Sequence, residues 1–270
     1  MARMLAGHFL CRTFLHFNRI AVVTKYALIA DIHSNIEALD AVLAHAATQG
    51  VGRHVFLGDL VGYGPDPGAV IERVQQGMAQ GDVAVLGNHD KAIALNLATT
   101  MNEVARVSVQ WTHAQLSEAQ RDFLANLPLM LQEDDMTWVH ASAAAPELWA
   151  YIYDGEAAER SLRMAGTPWV FSGHVHDPAL YFANGAGSFS VIRPPEDVVI
   201  PVPAHRQWLS IIGSCGQPRD GLVGARYAVF DRERCSLNFF RVPYDYPQTA
   251  AKIRAAGLPE RLARHVEGMA

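Results

Sequence analysis

The sequence predicts an α/β fold with parallel strands and helices in its first half and antiparallel hairpins in its second. From Tyr26 onward, short continuous apolar runs alternate with stretches of helical period. Beyond residue 180 the apolar runs follow one another too closely for helices to intervene. A third observation concerns the run ends. Each of the first three strands hands over to polar residues at its C-terminal end, where α/β sheets carry functional groups.

The elements follow in order. Residues 26–30 (YALIA) form a continuous apolar run, the mark of a buried strand. Ser34 and Glu37 have capping-box spacing, and Ile36, Leu39 and Leu43 continue at helical intervals. Residues 55–57 read as the second strand, ending at Gly58-Asp59. A Gly/Pro-rich loop over 62–67 then leads into a helix near 69–76. Residues 83–86 read as the third strand, ending at Gly87-Asn88-His89-Asp90. A helical segment over 91–127 carries Val104, Val107 and Trp111 on one face and a second capping box at Ser117 and Gln120. A strand over 136–140, a helix over 156–164 and a strand over 169–171 precede strands at 180–183, 188–192, 208–212, 227–230 and 237–242. Their close spacing predicts an antiparallel sheet, and a helical tail covers 248–266.

Residues 1–24 carry Arg3, Arg12 and Arg19 and no acidic residue, yet lack a proper apolar core and cleavage site. They are expected to form a poorly ordered extension ahead of a single domain over 25–270. Half of the 270 residues are apolar and 18% charged, which is globular rather than disordered composition. The net charge of −5, with Lys and Arg scattered, argues against an extended nucleic-acid surface. No apolar run reaches the ~18 residues a membrane span needs. Cys11, Cys215 and Cys235 form no disulfide framework or Cys-x-x-Cys pair, which fits a reducing compartment such as the cytoplasm.

Twelve histidines stand out. Five fall at strand ends, in Asp31-x-His33, Gly87-Asn88-His89-Asp90, Gly173-His174-Val175-His176 and at His140 alone, and a fourth cluster, Gly58-Asp59, ends a strand in the same way. The other seven, His265 among them, sit in no motif, and packing or surface exposure is their default. On an extended segment Asp31 and His33 would project to one side and grip one cation, and His174 and His176 share that spacing. Asp59 has two oxygens and can bridge; Asn88 offers a neutral carbonyl. Imidazole, carboxylate and amide together suit Mn, Fe, Zn, Co or Ni better than Ca or Mg. Two such ions against Asp31, Asp59 and a bridging hydroxide leave a centre of about +1, which attracts phosphate and lowers the pKa of bound water toward ~7.

These blocks resemble the calcineurin-like metallophosphoesterase superfamily. The stretch Asp31-Ile-His-Ser-Asn35 and the loop over 213–221 (GSCGQPRDG) are similar to its small bacterial branch of phosphodiesterases and dinucleoside-polyphosphate hydrolases. The resemblance spans roughly 25–245. It implies two stacked mixed β-sheets flanked by helices, a four-layer αββα sandwich. It also implies two divalent metals, manganese favoured: one on Asp31, His33 and His176, the other on Asn88, His140 and His174, with Asp59 bridging. His89 would face the substrate and assist the leaving group. The implied reaction is hydrolysis of phosphodiester or phosphoanhydride bonds in a small phosphorylated substrate.

Departures narrow that reading. Protein phosphatases of the superfamily continue Gly-Asp with Asp-Arg-Gly, whereas Gly62-Tyr63-Gly64 stands here and Lys91-Ala92 follows Asp90. A protein phosphatase is therefore disfavoured, and the acidic balance weighs against a nuclease of long duplexes. A non-catalytic binding module on the same scaffold is the alternative of another class, but no ligand position is lost. Arg219 is a candidate phosphate contact or structural ion pair. Cys215 and Arg219 are spaced too closely for a cysteine-phosphatase loop. Tyr63, Trp149 and Tyr151 are placed to stack on a base or to pack in the protein.

Overall fold

The computed structural model describes residues 23–97, 102–183 and 189–269. Of the expected N-terminal extension, residues 1–22 lie outside the described residues. In chain order the elements are β1 (Lys25–Ile29), α1 (Ile36–Thr48), β2 (Arg53–Phe56), α2 (Pro67–Met78), β3 (Val83–Ala84), α3 (Asn88–Ala94), α4 (Glu103–Gln115), α5 (Glu118–Ala125), β4 (Met130–Glu133), β5 (Met136–Val139), α6 (Gly155–Ala165), β6 (Trp169–Ser172), β7 (Ala179–Ala183), β8 (Phe189–Ile192), β9 (Val199–Pro201), β10 (Trp208–Ile211), β11 (Ala225–Asp231), β12 (Ser236–Val242), α7 (Tyr246–Ala255) and α8 (Glu260–Val266).

The strands build two mixed six-stranded sheets, ordered β3-β2-β1-β11-β12-β9 and β4-β5-β6-β10-β7-β8. Strands β1, β2 and β3 are parallel, as are β5, β6 and β10, while the flanking strands run antiparallel. Alternation along each strand stacks the sheets. Tyr26 and Leu28 of β1 join Trp138, Trp169, Phe171 and Phe230 between the sheets, whereas Ala27 and Ile29 face α1 and α2. On the far side, Val139, Val170, Leu209 and Ile211 pack against Ala158 and Leu162 of α6. The order of layers is helix, sheet, sheet, helix, the expected four-layer sandwich.

Several boundaries differ from expectation. The later strands do not make a sheet of their own: β11 and β12 enter the first sheet beside β1, and β10 lies parallel to β6. Close spacing marks a hairpin correctly but carries no information on which sheet the hairpin joins. Strands β4 and β9 have mixed burial and short length, so their hydrophobic pattern is faint. The segment 91–127 is broken into helices, and α4 buries Ala105, Ser108, Val109 and Thr112 most deeply. Val104 and Trp111 instead pack, partly buried, against α7 and α8, into which the tail divides. The cap of α1 is Asn35, whose side chain accepts from the Ala38 amide, because Ser34 Oγ is occupied by the Gly62 amide. The capping box at Ser117 and Gln120 is present as expected. No helix among the described residues is long and apolar enough to cross a membrane.

The segment after β10 is clamped to the β11–β12 hairpin by Asp220, which accepts hydrogen bonds from Arg226 and Arg241 and has a side chain 4% exposed. Burial raises its pKa, but the hydrogen bonds and charges of the two arginines outweigh that and hold it down to about 2. A depressed carboxylate stabilises the fold above its unfolded pKa, and that contribution disappears as pH falls through about 2. Asp220→Asn should therefore lower unfolding free energy by roughly 2 kcal/mol at neutral pH. Urea titrations should show the difference from wild type shrinking between pH 4 and pH 2.

Candidate metal centre

The polar residues flagged by the sequence converge beyond the parallel strand ends. Asp31 and His33 follow β1, Asp59 follows β2, Asn88 opens α3, His140 follows β5, and His174 and His176 follow β6. The structure gathers Asp31, His33 and His176 into one buried group and Asp59, His140 and His174 into another, with donor atoms in each group within 4.8 Å of one another. Asn88 joins the second group, its Oδ1 lying 3.1 Å from His140 Nε2. The groups approach each other where His33 Nε2 lies 3.8 Å from Asp59 Oδ2.

The local backbone is not the extended one expected. Asp31, His33, Asp59, His174 and His176 all have positive φ, between 50° and 70°. Such a conformation costs of order 1–3 kcal/mol per non-glycine residue and persists only where surroundings enforce it. Here the turns after β1 and β2 enforce each other: the amides of Asp31, His33 and Ser34 donate to the carbonyls of Gly58, Asp59 and Leu60. The left-handed turns, rather than strand alternation, bring Asp31 and His33 together.

Tautomers follow from the backbone. The Nδ1 atoms of His33, His140 and His176 face the carbonyls of Val61, Leu57 and Gln217. A carbonyl only accepts, so each Nδ1 carries the hydrogen; Nε2 of His33 and His176 then presents a lone pair, while Nε2 of His140 carries a proton toward Asp59 unless a cation takes its place. His33 Nε2 and His176 Nε2 nevertheless lie 3.1 Å apart. His140 Nε2 faces Asp59 Oδ2 at 3.3 Å and the Asn88 oxygen. His174 Nε2 is buried with no hydrogen-bond partner. Acceptors crowded against acceptors in a buried site are the donor set a cation satisfies, and their chemistry fits divalent metal ions.

The electrostatics reflect the same crowding. Burial pushes Asp31 up to about 7, with Asp59 adding to the rise. Burial lowers His140, but the Asp59 charge and hydrogen bond, then Asp31, raise it to about 9. Burial, then the charge of His140, takes His174 down to about 3. Asp59 is buried as well, yet His140 and His89 hold its carboxyl well below the usual range.

Supporting residues lie around the centre. His89 donates its amide to Asp59 Oδ1 at 2.8 Å, and its ring packs on Tyr63 with centroids 4.4 Å apart. Asp90, unremarked among the candidate ligands, accepts from the Val61 and Gly87 amides and so ties the turn after β2 to the start of α3. Its place at the end of the Gly87-Asn88-His89-Asp90 block is the signal the sequence carries, and the structure buries it fully. The loop over 213–221 supports the centre from behind: Gly216 donates to the Asp31 carbonyl, Ser214 Oγ does the same, and Gln217 orients His176. Cys215 is buried there, and burial raises its thiol pKa, so it is a packing residue. Arg219 has no carboxylate partner among the described residues; its guanidinium donates to Gln217 Oε1 at 3.3 Å. Tyr151 stacks on His174 with centroids 4.0 Å apart and Trp149 lies across His140.

Stacked sheets with such paired groups at their shared strand ends belong to metal-dependent hydrolases of phosphoesters. Residues 24–178 match the family model Metallophos, calcineurin-like phosphoesterase, and the chain belongs to this family. It is 30% identical over 250 residues to the uncharacterized protein MJ0912 of Methanocaldococcus jannaschii, covering 91% of this chain and 98% of that one. The crystal structure of a metallophosphoesterase from Sphaerobacter thermophilus superposes with a TM-score of 0.82 at 34% identity, covering 92% of this chain and all of the other. A hypothetical protein, PH1004 of Pyrococcus horikoshii OT3, shares the fold with a TM-score of 0.73 at 20% identity, covering 90% and 97% of the two chains.

Gly87 leaves no room for a side chain beside the centre. A Cβ there would overlap the Asp59 amide nitrogen and Oδ1. Gly87→Ala should cost about 1–3 kcal/mol in stability through overpacking. It should also lower the metal retained after desalting, as elemental analysis and denaturant titration will show.

Proposed function

We propose that the chain is a dinuclear-metal phosphoesterase acting on phosphodiester or phosphoanhydride bonds of small, nucleotide-like substrates. The carrying observation is the pair of buried His/Asp groups that meet at His33 and Asp59. Asp31, His33 and His176 would hold one ion and Asn88, His140 and His174 the other, with Asp59 shared. The mixed imidazole, carboxylate and amide donors favour transition metals, manganese first. Once bound, such a pair of ions supplies Lewis acidity at phosphoryl oxygens and acidifies water toward a pKa of ~7.

The protein's own groups supply the rest. His89, held by its amide on Asp59 and by Tyr63 against its ring, assists the leaving group by donating an imidazole N–H hydrogen bond to the departing oxygen; burial lowers its pKa and keeps the ring neutral. Arg219, exposed and free of carboxylates among the described residues, contacts substrate phosphate. A pocket of about 330 Å³ beside Asn88 and His174 has Trp149, Tyr151 and Leu97 in its walls and Lys91 at its rim. Its aromatic faces suit a nucleobase, which supports a nucleotide-like substrate. The free thiols of Cys215 and Cys235 support a cytoplasmic setting.

Protein purified with manganese should retain nearly two ions per chain by elemental analysis and hydrolyse bis(p-nitrophenyl) phosphate. Asp59→Asn and His140→Ala should each abolish turnover, and wild-type rates in both would overturn the reading. His89→Asn should lower kcat by about 10²–10⁴-fold while the metal content stays unchanged. Trp149→Ala should raise KM for a dinucleoside polyphosphate about 10-fold, the loss of one stacked base, in steady-state assays.

A further inference from the structure

On the side of Asp31, His33 and His176 lies a second pocket, of about 170 Å³, walled by Tyr63, Gln217, Arg219, Arg261, Leu262 and His265. Its arginines, Arg219 and Arg261, make no direct ion pair among the described residues, although Arg219 hydrogen-bonds to Tyr63 and Gln217. By contrast, Arg226, Arg241 and Arg254 are all committed to Asp or Glu. His265 Nδ1 is buried in the same wall with no hydrogen-bond partner. Arg219 and Arg261 share this lining with His265, whose pKa is lowered by burial and then by the charges of the two arginines. The buried ring nitrogen is the unsatisfied group of this concavity, and the two arginines beside it are exposed and free to turn toward a ligand. An anion there would accept from the ring N–H and pair with both guanidinium groups.

The pocket adjoins the centre. Tyr63, one of its walls, has its ring centroid 4.7 Å from that of His33 and 4.4 Å from that of His89. Gln217, another wall, accepts from His176 Nδ1 at 2.8 Å. Arg261 and His265 belong to α8, and Arg219 to the loop after β10, all outside the residues 24–178 that match the family. This wall is therefore supplied by the chain's C-terminal part.

We propose that this pocket is an anion subsite for a phosphate of the substrate other than the one cleaved, so that the substrate class is polyphosphorylated, such as a dinucleoside polyphosphate. The assignment rests on the phosphoesterase reading, but its test can fail separately. Wild type, Arg261→Ala and Arg264→Ala are compared with manganese bound; Arg264 is exposed on the same helix and does not line the pocket. The ratio of kcat/KM for diadenosine tetraphosphate to that for bis(p-nitrophenyl) phosphate should fall at least 10-fold in Arg261→Ala and stay at the wild-type value in Arg264→Ala. Calorimetric titration with inorganic tripolyphosphate, which needs no turnover, should show the same at least 10-fold weakening in Arg261→Ala alone. If no phosphoester is hydrolysed while tripolyphosphate binding still depends on Arg261, the hydrolase reading fails and the subsite stands. Unchanged tripolyphosphate affinity in Arg261→Ala, or equal losses in both variants, overturns the subsite.

Discussion

The Nε2 atoms of His33 and His176 face each other at 3.1 Å while each ring keeps its hydrogen on the opposite nitrogen, toward a backbone carbonyl. That repulsion is the constraint the surrounding structure must withstand. No side chain donates between them, and burial lowers both rings well below the usual histidine range, which disfavours a proton as the remedy. The fold imposes the arrangement through the backbone: the turns after β1 and β2 lock together by amide–carbonyl pairs, and Asp90 and the loop over 213–221 brace them from either side. A preorganised site of this kind meets most of its reorganisation cost at folding, so little remains when a cation arrives.

Strain is concentrated accordingly. Of the twelve described non-glycine residues with positive φ, eight (Asp31, His33, Ser34, Asp59, Tyr63, Trp149, His174 and His176) are at the centre or in the loops around it. That clustering separates a functional constraint from scattered irregular turns. The elements beneath show no such tension, since β1, β5, β6 and β11 are buried along nearly their whole length. A rigid two-sheet base carrying strained, mutually braced turns keeps each donor in one rotamer and one tautomer.

Much of this was legible in the sequence because an apolar run followed at once by a ligand-type residue marks a strand end without tertiary information. Asp31, Asp59, His140 and His174 were found that way, and the structure gathers them. Three kinds of feature were not legible. Left-handed turns at Asp31 and His33 depend on hydrogen bonds to Gly58 and Asp59, far along the chain. The cap of α1 moved to Asn35 because Ser34 serves a distant amide. Arg261 and His265 carry no motif and acquire meaning only where α8 faces Tyr63 and Gln217. In each case the deciding partner is remote in sequence, and local propensity has no access to it.

The antiparallel pairing of β1 with β11 joins Lys25 to Asp231, nearly the whole described chain apart. During synthesis β1, β2 and β3 emerge long before their sheet can be finished. One edge of β1, with a nearly continuous row of buried-type residues, stays open until the ribosome has released the C-terminal hairpin. A contact of such long range slows folding, because the loop must close before the pairing contributes. The same pairing makes the centre a late product of translation: Cys215 and Gly216, which hold Ala30 and Asp31 from behind, arrive just ahead of β11. Chains truncated before β11 therefore contain every proposed metal ligand but lack the strand and hairpin that hold those ligands in register.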